Sequence, residues 1–581
     1  MEPVQQAPSA EPMNLLSCQY CKKRKLRCDR RLPVCGRCTE SNRECDYPGQ
    51  RQTSLGKKRQ MRDLEAKLEV MGDQVKDLAA KYDALLRQQA GASSISDDSQ
   101  AAPLSYEQLL GSDDGTVSSS EKTHTMSATL SPTSTYMDEQ WAMPPSDTRQ
   151  QLTDIFFDKL GHTSSMILRE QYLESLKPNA SDPPPRSLQL IIMALAANVH
   201  SVHTSMAQSL YQQARTAAEE DEMKSPSLGV TQSWLLISNF EAQQAMFARA
   251  STSCSKAIRA AQILGLHQLD RGPGLPAAIG YSSDWKETEA RRRTWWAAFA
   301  ADRLIFATTG IPPMIRTRDI DTLLPSTDEA FRTGTPEQTA PFEQALKEPQ
   351  AGMSPLAMHV LAAELFHQAL DSMSSCVNHG TPSHAMETTC WRIQSATENS
   401  LGLLSAAMPA SMQLPEASQS QQAIFLNALI HAAVICLQKT ILQREQMCSN
   451  VGANLLQRSR EKAAMAAEGI VNGFRLSHDL QVSLRNPVLC FAAFTAGLVC
   501  LERILAESNP GSHSDLAFIL GILNAVRDQN AVAGMLAGQL IDHASSIGLD
   551  TAIMGETVDE GAGLVSEASQ FAGQLAAHFV G

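Results

Sequence analysis

Six cysteines fall between positions 18 and 45, in the order Cys18-x2-Cys21-x6-Cys28-x6-Cys35-x2-Cys38-x6-Cys45. The unit C-x2-C-x6-C therefore occurs twice, with its starts 17 residues apart. Two residues between a pair of thiols let one turn offer both sulfurs to one metal, and tetrahedral sulfur coordination favours zinc. Six ligands cannot fill two separate tetrahedral sites, so two Zn²⁺ ions fit only if two cysteines bridge them. The repeat nominates the equivalent pair, Cys18 and Cys35. Such a cluster keeps a net negative charge, which Lys22, Lys23, Arg24, Lys25 and Arg27 in the first loop offset.

Three disulfides would use the same six residues. Residues 1–16 lack a basic stretch followed by a long apolar run, so no secretory leader is expected there. In a reducing compartment, clustered cysteines read as metal ligands.

The halves of the repeat differ in charge. Five of the six residues between Cys21 and Cys28 are Lys or Arg, whereas Cys38 and Cys45 enclose Thr-Glu-Ser-Asn-Arg-Glu. The first half is thus the one expected to face nucleic acid. Phosphates attract any cation, so most of these side chains position the module. Guanine is read by Lys or Arg donating to O6 and N7.

Residues 18–45 resemble the zinc binuclear cluster of fungal transcription regulators, and Pro33 matches the family's loop proline. The resemblance implies two zincs, docking in the major groove on CGG-type triplets, and a nuclear protein. It also implies that Arg24 and Lys25 occupy the two base-reading positions, where the family often has Lys at the first.

The elements around this module follow from composition. The chain has 581 residues, 43% hydrophobic, and a net charge of −13. Residues 18–62 hold 14 Lys and Arg against 4 Asp and Glu, a local +10 that leaves −23 for the rest. A basic head on an acidic body points to nucleic-acid binding by the head alone. The longest apolar run, Val488 to Leu501, is short of the ~20 residues that a membrane span needs. It predicts a buried core helix, and no membrane partner is expected.

Residues 1–17 read as a disordered N-terminus, and residues 46–60 as a linker with Pro48, Gly49, Gly56 and the run Lys57-Lys58-Arg59. That run suits phosphate contact, nuclear import or plain solvation. A heptad follows in residues 61–90. Met61, Leu68, Val75 and Tyr82 fall at a, and Leu64, Met71, Leu78 and Leu85 at d. The alternation of threes and fours is the coiled-coil period, so a homodimer is expected, with Gly72 as a weak point. Residues 91–148, rich in Ser, Thr, Asp, Pro and Gly, read as disordered.

From about 150 to 545 the pattern predicts a large all-α domain. Segments are expected near 187–202, 205–222, 230–247, 250–265, 286–307, 355–377, 420–447, 451–476, 487–506 and 513–544, with Pro- and Gly-containing breaks among them. Ala257-Ile258-Arg259-Ala260-Ala261-Gln262-Ile263-Leu264-Gly265-Leu266-His267 resembles a signature of the fungal-specific transcription factor domain. Glu289-x-Arg291-Arg292-Arg293-x-Trp295-Trp296, Asp302-Arg303, Gly310-x-Pro312 and Leu324-Pro325 follow in the family's order. This resemblance covers about residues 190–325; Ile311-Pro312-Pro313 departs where the family often has Arg before the Pro.

These residues are not read as an active site. Glu287–Arg291 and Glu289–Arg293 are i,i+4 pairs, and the guanidiniums are expected to stack on the indoles. His267 is expected as a cap or core residue, and Cys254, Cys376, Cys390, Cys436, Cys448, Cys490 and Cys500 as small core residues. Gly272-x-Gly274-x-x-Ala277 has dinucleotide spacing without the strand–turn–helix it requires, and the sequence has no H-E-x-x-H, G-x-S-x-G or P-loop. Residues 546–581 mix acidic and apolar residues and suit either coactivator recruitment or a last packed helix.

Two functions follow. The leading one is a sequence-specific DNA-binding transcription factor, an activator controlling a metabolic or secondary-metabolite gene cluster, with or without a small-molecule inducer. The alternative is an α-helical enzyme or ligand-binding protein that carries the zinc module for targeting.

Overall fold

The computed structural model describes residues 17–45, apart from 32, 42 and 44, and residues 143–549, apart from 201, 225, 272–281, 283, 379–383, 419, 449–451 and 508–509. They belong to two compact units, one within residues 1–129 and one within 130–581. The 46–60 linker, the 61–90 heptad, the Gly272–Ala277 stretch, Cys376 and Cys448 as side chains, and nearly all of 91–142 and 550–581 lie outside what is described.

The first unit contains two single-turn helices, α1 (Gln19–Lys23) and α2 (Gly36–Glu40). The second is helical, with no strand among the described residues. It opens with α3 (Ser146–Ile155), prolonged by a π turn over Phe156–Leu160, and α4 (Arg169–Ser175). Then come α5 (Arg186–Val199), α6 (Thr204–Lys224), α7 (Leu228–Gln243), α8 (Phe247–Ile263) and α9 (Trp285–Thr309). Short helices α10 (Asp328–Thr333) and α11 (Phe342–Lys347) precede α12 (Pro355–Asn378), α13 (His384–Ala407), α14 (Gln421–Cys448) and α15 (Ala453–Leu476). The last are α16 (Leu480–Ser483), α17 (Pro487–Glu507), α18 (Pro510–Ala525) and α19 (Ala531–Ser546).

Caps and breakers set these ends. Pro185 leads into α5, where its fixed φ suits a helix start. Ser227 accepts from the Val230 N–H at 3.2 Å to open α7, and Asp284 accepts from Lys286 at 3.0 Å to open α9. Short connections then make consecutive helices neighbours: α5 packs on α6, α7 on α8, α14 on α15 and α17 on α18. One apolar core runs from Leu152 to Ala544. The stretches Gln421–Arg444 and Pro487–Ala506 are long and apolar enough to cross a membrane, but 89% and 83% of their apolar windows are buried inside this body, as core helices are.

Besides the short helices α4, α10, α11 and α16, which fall outside the expected segments, the helices differ from the sequence expectation in three places. α3 begins at Ser146, inside the segment read as disordered, because Pro145 sets its entry and Leu152 and Phe156 join the core. α13 was not expected. Its inward positions include Gln394 and Thr397, which bond the Leu437 carbonyl (3.1 Å) and Gln368 (3.1 Å), so no apolar period shows. The single segment expected over 513–544 is two helices, because Asn530 caps α19 by accepting from Val532 at 3.1 Å.

Candidate zinc centre and nucleic-acid interface

The two halves of the cysteine repeat fold alike in their backbone bonds. Cys18 and Cys35 stand at the N-caps of α1 and α2, so each C-x2-C pair occupies one helical turn. Lys22 and Thr39 donate to the carbonyls of Cys18 and Cys35, both at 3.0 Å. Arg24 and Ser41 donate to those of Tyr20 and Arg37, both at 3.1 Å. Leu26 and Arg43 donate to those of Cys21 and Cys38 at 2.9 and 3.0 Å.

This geometry gathers the sulfurs into two overlapping quartets, Cys18–Cys21–Cys28–Cys35 and Cys18–Cys35–Cys38–Cys45, each with its ligand atoms within 4.8 Å of one another. The residues common to both are Cys18 and Cys35. Zinc–sulfur bonds of about 2.3 Å place tetrahedral sulfurs about 3.8 Å apart. The Sγ–Sγ distances are 3.8 Å for Cys18–Cys35, 3.7 Å for Cys18–Cys38 and 3.8 Å for Cys21–Cys35. The donor set therefore fits zinc, and all six cysteines are free thiols rather than disulfides. Burial, and then the hydrogen bonds with neighbouring sulfurs, push the Cys21 thiol up to about 12, and burial also raises Cys38 and Cys35. The Cys35 backbone N–H, donating at 3.3 Å, lowers Cys45. Metal ligation needs the thiolates, so the raised Cys21, Cys35 and Cys38 thiols make metal binding proton-linked.

Asp29 ties the halves together. Its carboxylate accepts from the Gly36 N–H at 3.0 and 3.1 Å, the first orphan donor of α2. A Cβ at Gly36 would stand 2.8 Å from Asp29 Oδ2, so a larger residue there would push the Asp29 carboxylate aside. The sequence reading missed both residues; an Asp one position after a ligand cysteine was the available signal.

Lys22, Lys23, Arg24, Lys25 and Arg27 are all exposed, on the last turn of α1 and the loop leaving it. Lys25 has φ 54°, a left-handed backbone that turns the chain back towards Cys28. The interface therefore pairs a rigid sulfur core with solvent-facing cations. The heptad positions lie outside the described residues.

In the larger unit the signature residues lock loops onto α9. Glu289, fully buried, accepts from Arg292 (2.7 Å), Arg293 (3.1 Å) and the Ser326 N–H (2.9 Å). Arg293 also donates to the Ser165 and Ser326 carbonyls (3.0 and 2.8 Å) and to Asp328 (2.7 Å). Glu287 pairs with Arg291 at 2.5 Å. Asp302 accepts from the Met314 and Ile315 N–H groups at 2.9 and 2.8 Å, while Arg303 reaches Glu364 at 2.6 Å. The expected stacking partner is corrected: the Arg293 guanidinium lies 4.5 Å over Phe331, not over an indole, because Trp296 turns to donate to the Leu323 carbonyl at 2.7 Å. Gly265 has φ 74°, and His267 beyond it sits 5.6 Å from the Trp295 ring, with burial holding its imidazole below the usual range. Cys254, Cys436, Cys490 and Cys500 are buried, and burial raises their thiols; Cys390 is half-buried.

Two family models match the chain. The fungal Zn(2)-Cys(6) binuclear cluster domain matches residues 16–54, and the fungal specific transcription factor domain matches residues 153–440. The second match extends past both ends of the 190–325 block marked by the motifs. The chain is 25% identical over 447 residues to the citrinin biosynthesis transcriptional activator of Monascus ruber, covering 73% of this chain and 85% of that protein. It is 22% identical to the asperfuranone cluster transcription factor of Emericella nidulans, covering 89% and 94%. It is 23% identical to the sorbicillinoid biosynthetic cluster transcription factor 1 of Penicillium rubens, covering 96% and 98%.

Proposed function

The chain belongs to the fungal zinc binuclear cluster transcription factors that carry a fungal specific transcription factor domain, and from that premise we propose that it activates the genes of one secondary-metabolite cluster. The observation that carries this reading is the pair of sulfur quartets sharing Cys18 and Cys35 beside the exposed run Lys22–Arg27. The six cysteines would hold two Zn²⁺ ions per chain, Cys18 and Cys35 being common to both quartets; the metal would fix the fold of residues 18–45, so that the end of α1 meets the major groove. Arg24 and Lys25 read the guanines of a CGG triplet; Lys22, Lys23 and Arg27 hold phosphates.

Residues 61–90 pair two chains, so that a homodimer in the nucleus reads two triplets. The linker 46–60 and the first turn of the coiled coil, and not the zinc cluster, set their spacing and orientation. The relatives named for the citrinin, asperfuranone and sorbicillinoid clusters support a biosynthetic cluster as the target. Deleting the gene and measuring transcripts of the biosynthetic genes beside it tests the proposal. Their loss, restored by the intact gene but not by a Cys18→Ser form, is expected; unchanged transcripts under producing conditions would overturn it.

A further inference from the structure

A cavity of about 180 Å³ lies in the helical body where α7, α9, α12, α14 and the start of α17 meet. An apolar cavity of about 150 Å³ is large enough to take benzene, so this one has room for a somewhat larger ring system. Its emptiness has a cause in the sequence. α9 turns Ala297, Ala300 and Ala301 towards it, at the spacing of one helical face, where larger side chains would close the space. His359 and Phe425 form an aromatic wall, their ring centroids 4.2 Å apart.

Three carboxamides from separate elements line the same space: Asn239 on α7, Gln422 on α14 and Asn486 ahead of α17. Asn239 Oδ1 accepts from Gln243 at 3.2 Å, and Asn486 Oδ1 accepts from the Val488 N–H at 3.0 Å. Both keep their amide N–H groups as donors, and the Gln422 side chain has no hydrogen bond among the described residues. Among the described residues, no Lys, Arg, Asp or Glu lines the cavity. An anion or cation would lose its hydration there without a partner. An uncharged molecule with acceptor oxygens would find donors on apolar walls, the usual make-up of a small-molecule site.

We infer that this cavity binds an uncharged molecule of one or two rings bearing hydroxyl or carbonyl oxygens. The assignment rests on the helical body alone and does not depend on the DNA-binding reading. Isothermal titration of the full chain with 2-naphthol and with naphthalene tests it. One saturable site per chain is expected, with 2-naphthol bound about fivefold tighter than naphthalene, the worth of one hydrogen bond. That hydrogen bond is assigned to Gln422, the one of the three carboxamides with neither end bonded among the described residues, so Gln422→Leu should abolish the preference while retaining naphthalene. Ala297→Leu with Ala301→Leu should weaken both probes at least about tenfold, with helical circular dichroism and DNA binding unchanged. No saturable binding up to the solubility limit of 2-naphthol overturns the inference. So does wild-type affinity in a folded Ala297→Leu/Ala301→Leu protein, or, should that variant fail to fold, an unaltered preference in Gln422→Leu.

Discussion

Lys25 carries two demands at one position: a left-handed backbone at φ 54° and a cation facing solvent beside Arg24. They separate experimentally. Lys25→Gly keeps the backbone at ease, whereas Lys25→Ala leaves a Cβ in a disfavoured region. If the side chain reads guanine, both changes cost about 1–3 kcal/mol of discrimination between a CGG site and a scrambled one, and Arg24→Ala costs a similar amount. Lys22→Ala and Lys23→Ala should weaken both sites evenly and reduce the salt dependence of binding. Competition binding at fixed salt measures this; an even loss for Arg24→Ala and both Lys25 changes would contradict the assignment. At this scale the sequence was most legible where spacing itself is chemistry. Cysteine intervals and a run of cations are visible without a fold. Asp29 and Gly36 were not, because a cap in which Asp29 accepts from Gly36, seven residues on, exists only once the loop has closed.

Elements were legible where one apolar face repeats, as in α8 and α15, or where a helix is apolar nearly all round, as in α17. They were obscured where polar residues face inward, as Gln394 and Thr397 do in α13. Asn530 shows the same logic at a boundary. Besides capping α19, its side-chain amide donates to the carbonyls of Leu484 (2.8 Å) and Arg485 (3.2 Å), joining the turn before α17 to the start of α19. It is fully buried. Asn530→Ala removes a cap and leaves two buried carbonyls without this donor, a loss of roughly 2–4 kcal/mol. Urea unfolding followed by circular dichroism should show a lower midpoint with an unchanged slope. A midpoint equal to that of the wild type would remove Asn530 from this role.

For the whole molecule, the divided charge separates a basic DNA-facing head from an acidic body whose stability has its own pH dependence. Burial holds His431 and His367 below the ordinary imidazole range, against a partial opposing pull on His367 from Glu364 and Asp371. As pH falls through about 6.5 the unfolded chain binds protons that the folded body resists, so stability falls with pH. The thermal midpoint of the body should drop between pH 7.5 and 5.5, and His431→Gln with His367→Gln should flatten that slope; a midpoint that rises on acidification would contradict the sign. The helical pattern from about 150 to 545 made an all-α body legible, but not its cavity, which arises from alanines and amides far apart in the chain. The central claim concerns the head, and selection of DNA from a random duplex pool by the full-length protein, at fixed salt and with zinc present, tests it most directly. The account predicts enrichment of CGG triplets, lost on chelation and restored by zinc; a pool that stays random with folded, zinc-loaded protein would contradict it.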